Sequence, residues 1–209
     1  MIQSLEELDK ALYEIVLSRM EEIGDNDSGA YSYYGHRIKE LKCAFISYEW
    51  WLPHVIQEAR PDHVVYAGSG FGYLAFALAM LGIPVHCYEG DQTRFNTLLA
   101  IRDRLSGQIP NVQQLVTATN SKFPDINLQL PAGRNLFLTA NLGAKTTSEV
   151  RDSILDEFKK FDCVIVCERL FCGTYGTDEE RLAMRNRIFE KYPSTRQEFK
   201  EYFARFDAI

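Results

Sequence analysis

The stretch that decides the fold reads Val64-Val65-Tyr66-Ala67-Gly68-Ser69-Gly70-Phe71-Gly72. Its apolar first half predicts a buried β-strand, and the glycines at alternate positions predict a sharp turn out of that strand. The apolar residues from Tyr73 to Leu81 then favour a helix. Because glycine has no side chain, such a turn lets a ligand approach the backbone closely.

A second predicted strand, Pro84 to Tyr88, ends next to an acidic residue, Glu89. A carboxylate at this position can accept hydrogen bonds from both hydroxyls of a ribose. The carboxyl ends of parallel strands form the edge at which α/β sheets bind their ligands. The turn and Glu89 together therefore predict a nucleotide-like ligand at this edge, whereas a glycine turn alone could be purely structural.

Strands alternate with helices through the middle of the chain. Further apolar strands are predicted at Val112–Ala118, Leu136–Thr139 and Cys163–Cys167, and Asp91 is placed to cap a helix from about Gln92 to Leu105. The strands show little polar alternation, which favours a parallel sheet covered on both faces. We therefore expect the α/β class, with a doubly wound, mostly parallel Rossmann-like sheet.

Both ends of the chain are predicted to be helical. Ser4 with Glu7 forms a capping box for an amphipathic helix over residues 4–22, and a second helix is expected from about His36 to Glu58. We interpret residues 1–60 as a helical cap and residues 61–209 as a cofactor-binding domain, the two forming one compact unit.

The C-terminal part is expected to contain charged helices and no strand. Capping boxes at Thr177 with Glu180 and at Ser194 with Gln197 predict two helix starts there, and no strand is expected after Cys167.

The spacing of the glycines distinguishes between kinds of nucleotide. The dinucleotide fingerprint would place its third glycine at position 73, which is Tyr73, so the pattern is GxGxG. This pattern resembles the first motif of class I S-adenosylmethionine-dependent methyltransferases, and Glu89 resembles their ribose-binding acid. The resemblance implies S-adenosylmethionine as cofactor, with the turn contacting its methionyl part, and methyl transfer as the activity.

The resemblance also implies a set of cofactor-binding residues, although the chain departs from the usual pattern at two of them. The family usually has an acid where this chain has Tyr66, and Asn120 or Ser121 replaces an acid after the third strand. The set comprises Tyr66, Gly68, Ser69, Gly70, Phe71, Gly72, Glu89 and Asn120.

Two residues at the ends of later strands are candidates for catalysis. Asn141 follows the fourth predicted strand, where it could orient an acceptor amine or hydroxyl. Glu168 follows the fifth strand, as a base or substrate anchor or, alternatively, as half of an ion pair with Arg169. Tyr31, Tyr34 and Trp50 are candidates to line the acceptor pocket, with packing in the helical cap as the alternative, which is the favoured one for Trp50.

Two narrower likenesses leave the acceptor open. Residues 135–142 with 164–171 resemble the non-SET histone-core lysine methyltransferases. Residues 64–69, after a Lys-rich helix, are similar to poxvirus-type cap 2′-O-methyltransferases, but no Asp for their Lys-Asp-Lys-Glu tetrad stands at 139–142. The acceptor is therefore unknown, with protein lysine or RNA favoured. A noncatalytic S-adenosylmethionine-binding partner or sensor, and another nucleotide-binding enzyme, are the alternatives.

Composition narrows the classes of partner and compartment. The 209 residues carry a net charge of −6, which is unlike a generic nucleic-acid binder, although a local basic face leaves nucleic acid open. The five cysteines form no CxxC pair, which predicts reduced thiols and no metal site. The sequence contains no apolar run of about 18 residues, so no membrane span is expected, and the acidic N-terminus is unlike a signal peptide. A cytoplasmic protein is expected.

Overall fold

The fold is seen in a computed structural model that describes residues 1–23, 31, 34–35, 37–122, 128–140, 156–167, 194–200 and 203–208. The strands form one seven-stranded sheet in the order β3-β2-β1-β4-β5-β7-β6. Strands β1 to β5 are parallel, which confirms the predicted α/β class and the doubly wound order. The strands are β1 (His63–Ala67), β2 (Val85–Glu89), β3 (Val116–Asn120), β4 (Asn135–Ala140), β5 (Cys163–Cys167), β6 (Ser194–Lys200) and β7 (Phe203–Ala208).

Helices precede the sheet and connect its first strands. Asp91 caps the helix that follows β2, because its Oδ1 accepts a hydrogen bond from the Arg94 amide at 2.9 Å. Ser4 Oγ likewise accepts the Glu7 amide at 3.2 Å at the first helix. The α-helices are α1 (Leu5–Ile23), α2 (Ser47–Ala59), α3 (Tyr73–Met80), α4 (Gln92–Leu105) and α5 (Val112–Leu115), with a π-helical turn at Arg37–Leu41 and a 3-10 turn at Phe158–Lys160.

The two faces of the sheet are covered to different extents. One face packs its alternate residues, such as Val64, against the apolar sides of the helices in a single core. On the other face, Phe137 of β4 packs against the rings of Phe158 and Phe161, each 5.2 Å away. The same face is more open over β2 and β3, where His86 is only partly buried. The best-covered strands are therefore those at the centre of the sheet.

The start of the third strand differs from its prediction. Residues 112–115 form the short helix α5, and β3 begins only at Val116. Asn111 adopts a left-handed conformation with φ of 57°, and its carbonyl accepts the amides of Gln114 and Leu115 at 2.9 Å. This local turn forms ahead of the ladder to β2, so the first four residues of the predicted strand are helical instead.

The single helix expected from His36 to Glu58 is also wrong, since it is divided into a π-helical turn and α2. Lys42 between them has φ of 52°, and Asp9 of α1 accepts the amides of Ala44 and Phe45 at 2.8 and 2.6 Å. Backbone groups that bond to Asp9 are not available to continue a helix. Pro53 lies inside α2.

The helical C-terminus was the largest error. Ser194–Lys200 is a strand rather than a capped helix, and it pairs antiparallel with β7, which in turn pairs antiparallel with β5. Arg196 stands opposite Asp207 and Glu198 stands opposite Arg205 in this register. Residues of opposite charge at paired positions of neighbouring strands favour a hairpin. The helix expected to begin at Thr177 lies outside the described residues.

No helix among the described residues is long and apolar enough to cross a membrane.

Candidate functional site

The glycine turn lies at the switch point of the sheet. The turn follows β1, which pairs with β2 on one side and with β4 on the other. The strand order therefore reverses at β1, and doubly wound sheets open a crevice at such a point. Gly68, Gly70 and Gly72 have φ values of 67°, 59° and 80°. A side chain at any of the three would strain the backbone, which explains the alternating glycines. Gly72 is also the N-cap residue of α3.

Glu89 is bonded directly to this turn. Its Oε2 accepts a hydrogen bond from the Gly70 amide at 2.7 Å, and its Oε1 accepts the Asp91 amide at 2.9 Å. The residue is only 6% exposed. Each carboxylate oxygen has two lone-pair sites, so Glu89 retains accepting capacity beyond these two bonds. The carboxylate predicted to bind ribose hydroxyls therefore lies against the turn predicted to bind the same ligand.

Every amide nitrogen of the turn Gly68–Gly72 donates to an acceptor within the protein. Two donate to the Tyr88 carbonyl and one to the Ser69 carbonyl, at distances between 2.8 and 3.2 Å. The remaining two donate to side chains, those of Glu89 and Tyr34. Of these acceptors only Tyr34 comes from outside the β1–β2 unit, so the N-terminal part of the chain completes the turn.

Tyr34 covers the turn. Its hydroxyl accepts a hydrogen bond from the Phe71 amide at 3.2 Å, and its ring stacks on the Phe71 ring at 3.8 Å with 12° between the planes. A Cβ atom built on Gly70 would collide with the Tyr34 hydroxyl. The side chain is 9% exposed, and this burial raises the pKa of the Tyr34 phenol to about 12. The phenol is therefore neutral at ordinary pH.

A buried ion pair between Arg37 and Glu49 packs against Tyr34. The Arg37 guanidinium lies 5.3 Å from the centre of the Tyr34 ring, and its Nη1 donates to Glu49 Oε2 at 3.1 Å. Glu49 Oε2 also accepts the Ile46 amide at 2.6 Å. Burial raises the pKa of the Glu49 carboxyl to about 7, against the opposing effect of the Arg37 charge. No periodicity in the sequence indicated that Arg37 would be buried.

Two other predicted cofactor residues lie at the ends of their strands. Tyr66 is buried near the end of β1, and burial raises the pKa of its phenol well above the usual value, with a further contribution from the nearby Glu49 charge. Asn120 is exposed at the end of β3, and its Nδ2 donates to the Glu89 carbonyl at 2.9 Å. Both flank the Glu89 region, and their contacts with a cofactor stay predictions.

The three aromatic residues predicted to line an acceptor pocket lie at different distances from the turn. Tyr31 packs its ring 5.0 Å from Phe71 and bonds its hydroxyl to Thr97 Oγ1 at 2.8 Å. Trp50 instead packs edge-on against Phe45 at 5.1 Å. Tyr31 and Tyr34 thus contact the Phe71 ring of the turn, whereas the ring contact of Trp50 is with Phe45.

The predicted catalytic residues Asn141 and Glu168 lie outside the described residues. Each directly follows a strand in the sequence, since β4 ends at Ala140 and β5 at Cys167, and both strands end at the edge of the sheet that carries the turn. Thr139, near the end of β4, has a fully buried hydroxyl with no hydrogen-bond partner in the described part of the chain. The roles of Asn141 and Glu168 in catalysis stay predictions.

One residue near the site had no signal in the sequence. The side chain of Lys122 lies over Gly90, because a Cβ atom built there would be 2.6 Å from Lys122 Cγ. This places a cationic side chain beside the loop that follows Glu89. Only the pairing of β3 with β2 brings the two segments together.

Comparisons with known proteins agree with the geometry of the sheet. No family model matches the chain, and no curated protein matches it either. Several solved structures match the chain. The methyltransferase domain of bacterial CtHen1-CN aligns with a TM-score of 0.57 and 15% identity over 75% of this chain and 95% of that chain. PH1948 from Pyrococcus horikoshii, named as a candidate RNA methyltransferase, aligns with a TM-score of 0.54 and 14% identity over 77% and 81%.

A third similar structure is that of the glycopeptide N-methyltransferase MtfA, with a TM-score of 0.53 and 9% identity over 75% of this chain and 92% of that chain. At these identities the likeness establishes the architecture. The chain has the fold of class I methyltransferases.

Proposed function

We propose that this chain is an S-adenosylmethionine-dependent methyltransferase whose cofactor binds between the glycine turn and Glu89. The observation that supports this most is the bond from the Gly70 amide to Glu89 Oε2, which joins the two cofactor motifs at the switch point of a methyltransferase fold. MtfA, one of the proteins with this fold, has been crystallised with S-adenosylmethionine.

The residues at the site suit such a cofactor. Glu89 offers free lone pairs to ribose hydroxyls, and the turn Gly68–Gly72 brings backbone to the ligand side without intervening Cβ atoms. Tyr66 and Asn120 stand at the ends of the flanking strands. When bound, the cofactor supplies a methyl group on a sulfonium, so the chain needs mainly to align the acceptor and exclude water.

For the acceptor side we propose roles for residues that follow strands ending at the same edge. Asn141 would orient the acceptor, and Glu168 would take its proton or anchor it, since β4 and β5 both end at the edge of the sheet that carries the turn. Tyr31, Tyr34 and Trp50 are proposed to shape the acceptor pocket. A macromolecular acceptor, protein lysine or RNA, is favoured by the narrower sequence likenesses alone.

One observation favours a noncatalytic partner or sensor as the second candidate. Every amide of the glycine turn is already satisfied within the protein, and Tyr34 covers Gly70. A turn whose amides are already paired is complete without a ligand, which suits a partner that transfers no methyl group, or a sensor that opens only when the cofactor is abundant.

Calorimetric titration with S-adenosylmethionine and with its demethylated product tests the proposal. We expect a dissociation constant near micromolar, about −8 kcal/mol. Glu89→Gln should weaken binding about tenfold or more, because it removes the charge from the strongest acceptors of the ribose hydroxyls. Asp103→Asn, at an exposed acid on α4, is the matched control and should bind as the unmodified chain does.

Unchanged binding in Glu89→Gln would place the cofactor elsewhere. The cofactor assignment would be contradicted if neither the unmodified chain nor Tyr34→Ala, the variant described below that uncovers the turn, bound the cofactor. Transfer of a labelled methyl group to protein, RNA or small-molecule fractions would then separate the enzyme from the noncatalytic binder and identify the acceptor class.

A further inference from the structure

We infer that Tyr34 acts as a plug on the glycine turn, and that its side chain must leave Gly70 and Phe71 before the amino-acid end of the cofactor can reach them. This inference rests on the proposed function, which it extends from the identity of the ligand to the control of access. The plug is Tyr34 alone, defined by its contacts with the turn.

The first argument is the space that Tyr34 occupies. Glycine at a ligand-binding turn leaves room over its Cα for the ligand. At Gly70 this room contains the Tyr34 hydroxyl, with which any added Cβ would collide. A ligand atom resting on Gly70 would meet the same hydroxyl, so the ligand and the plug exclude each other.

The second argument is the hydrogen bond that Tyr34 uses. Its hydroxyl takes the Phe71 amide at 3.2 Å, whereas Glu89 takes the neighbouring Gly70 amide at 2.7 Å. Phe71 directly precedes Gly72, the N-cap residue of the apolar helix α3, and helix starts favour an anionic acceptor over a neutral one. The Tyr34 phenol is neutral, since burial raises its pKa to about 12. The carboxylate of the cofactor's amino-acid end is therefore the stronger competitor for this amide.

The third argument is the position of Tyr34 in the chain. Tyr34 lies 37 residues before Phe71 in the sequence, in the N-terminal part of the chain. The other acceptors, Glu89 and the backbone carbonyls, belong to the β1–β2 unit that forms the turn. Rotation of this one side chain would free Phe71 without breaking any pairing between strands. The ring of Phe71, stacked on Tyr34 at 3.8 Å, would then be uncovered as a new apolar wall for the ligand.

The test compares the binding of the demethylated cofactor product to four forms of the full chain by calorimetry. Tyr34→Ala removes the plug, and Tyr34→Phe keeps the ring but removes the hydroxyl. Tyr13→Ala is the matched control, because Tyr13 is a partly buried tyrosine of α1 to which no amide of the turn donates. If about one molecule in ten has the turn open, Tyr34→Ala should bind about tenfold tighter than the unmodified chain, and Tyr13→Ala should not.

Tyr34→Phe should also bind more tightly than the unmodified chain, which keeps the test decisive if Tyr34→Ala fails to fold. Equal or weaker binding by the Tyr34 variants, alongside measurable binding by the unmodified chain, would overturn the plug and leave the proposed function standing. Binding by the variants alone would support both ideas. Absence of binding in every form would overturn both.

Hydroxyl-radical footprinting gives a readout independent of affinity and activity. In the unmodified chain, oxidation of Tyr34 should rise several-fold when the demethylated product is added to saturation, because the buried ring is expelled. Oxidation of Tyr13, a partly buried tyrosine of α1, provides the internal reference. A fall or no change at Tyr34 under saturating ligand would show that the side chain stays in place and would contradict the inference.

Discussion

The Oε2 atom of Glu89 lies 2.7 Å from the amide nitrogen of Gly70, which joins two loops that follow different strands. The second carboxylate oxygen holds the Asp91 amide, at the residue that caps α4. One buried side chain therefore sets the shape of the turn and the start of the next helix. Changes at Glu89 should affect the stability of the fold as well as the binding of a ligand.

Replacement of Glu89 by alanine should destabilise the protein by about 2–3 kcal/mol, because the buried Gly70 amide and the partly buried Asp91 amide lose a charged acceptor. Glu89→Gln should cost less, since its amide oxygen still accepts one of the two bonds. Urea unfolding followed by circular dichroism measures the change in the free energy of unfolding. Asp103→Ala, at an exposed carboxylate, is the control and should change stability by less than about 0.5 kcal/mol. An equally small effect for Glu89→Ala would show that the turn does not depend on this bond.

Gly70→Ala should destabilise the protein more than Gly82→Ala does. Both glycines have left-handed backbone, with φ of 59° and 75°, so both substitutions carry a similar strain of about 1 kcal/mol. Only Gly70 has a neighbour that the new Cβ would strike, the Tyr34 hydroxyl, whereas the space beside Gly82 is empty. Thermal and urea unfolding of the two variants provide the comparison.

The Gly70→Ala cost should shrink when Tyr34→Phe is present, because the colliding oxygen is gone. A double-mutant cycle should give a favourable coupling free energy on the order of 1 kcal/mol. Additive effects would mean that the hydroxyl and the glycine do not share the same space in solution.

Asp91→Ala should destabilise the protein by about 1 kcal/mol, because α4 loses the side-chain acceptor for the Arg94 amide. Asp91→Ser should recover most of this loss, since a serine hydroxyl can accept the same bond. The backbone amide of Asp91, which donates to Glu89, is retained in both variants. Equal stability of the alanine and serine variants would argue against a capping role.

The Glu49 carboxyl should make stability depend on pH in the direction opposite to ordinary acid denaturation. Burial raises its pKa from 4.5 to about 7, so between these values the folded state binds more protons than the unfolded state. Its contribution is fully present below about pH 4.5 and is lost as the pH rises through about 7.

Urea unfolding at pH 5 and pH 8 of the unmodified chain and Glu49→Gln isolates this contribution. The stability of the unmodified chain relative to Glu49→Gln should fall by on the order of 2 kcal/mol between the two pH values. His86, whose pKa is lowered by burial, contributes in the opposite direction, but it is present in both proteins and cancels. A relative stability that rises with pH would show that the ion pair with Arg37 outweighs burial.

The parts of the fold that were predictable depend on local chemistry. Left-handed backbone at three alternate positions requires glycine, so the turn is visible in the sequence, and the parallel strands are visible as short apolar runs. The cap at Asp91 is local as well. The relation between Tyr34 and Phe71 is not, because no pattern connects residues 37 positions apart.

The C-terminal hairpin shows how a local signal can mislead. Ser194 with Gln197 has the spacing of a capping box, but the same residues lie in a strand whose charges at 196 and 198 stand opposite Asp207 and Arg205. The complementarity becomes visible only once the register is known. Propensity at Ser194 is therefore overridden by pairing with β7 and, through it, with β5.

The order of strands at this edge also has a consequence for biosynthesis. Ribosomes deliver β6 before β7, yet β6 is attached to the described sheet only through β7. During translation Ser194–Lys200 therefore waits without a partner, and the edge of β5 stays open, until Phe203–Ala208 has left the exit tunnel. Unpaired strand edges invite association between nascent chains. Premature termination just before residue 203 would accordingly release a polypeptide with an open β5 edge, which depends on chaperones.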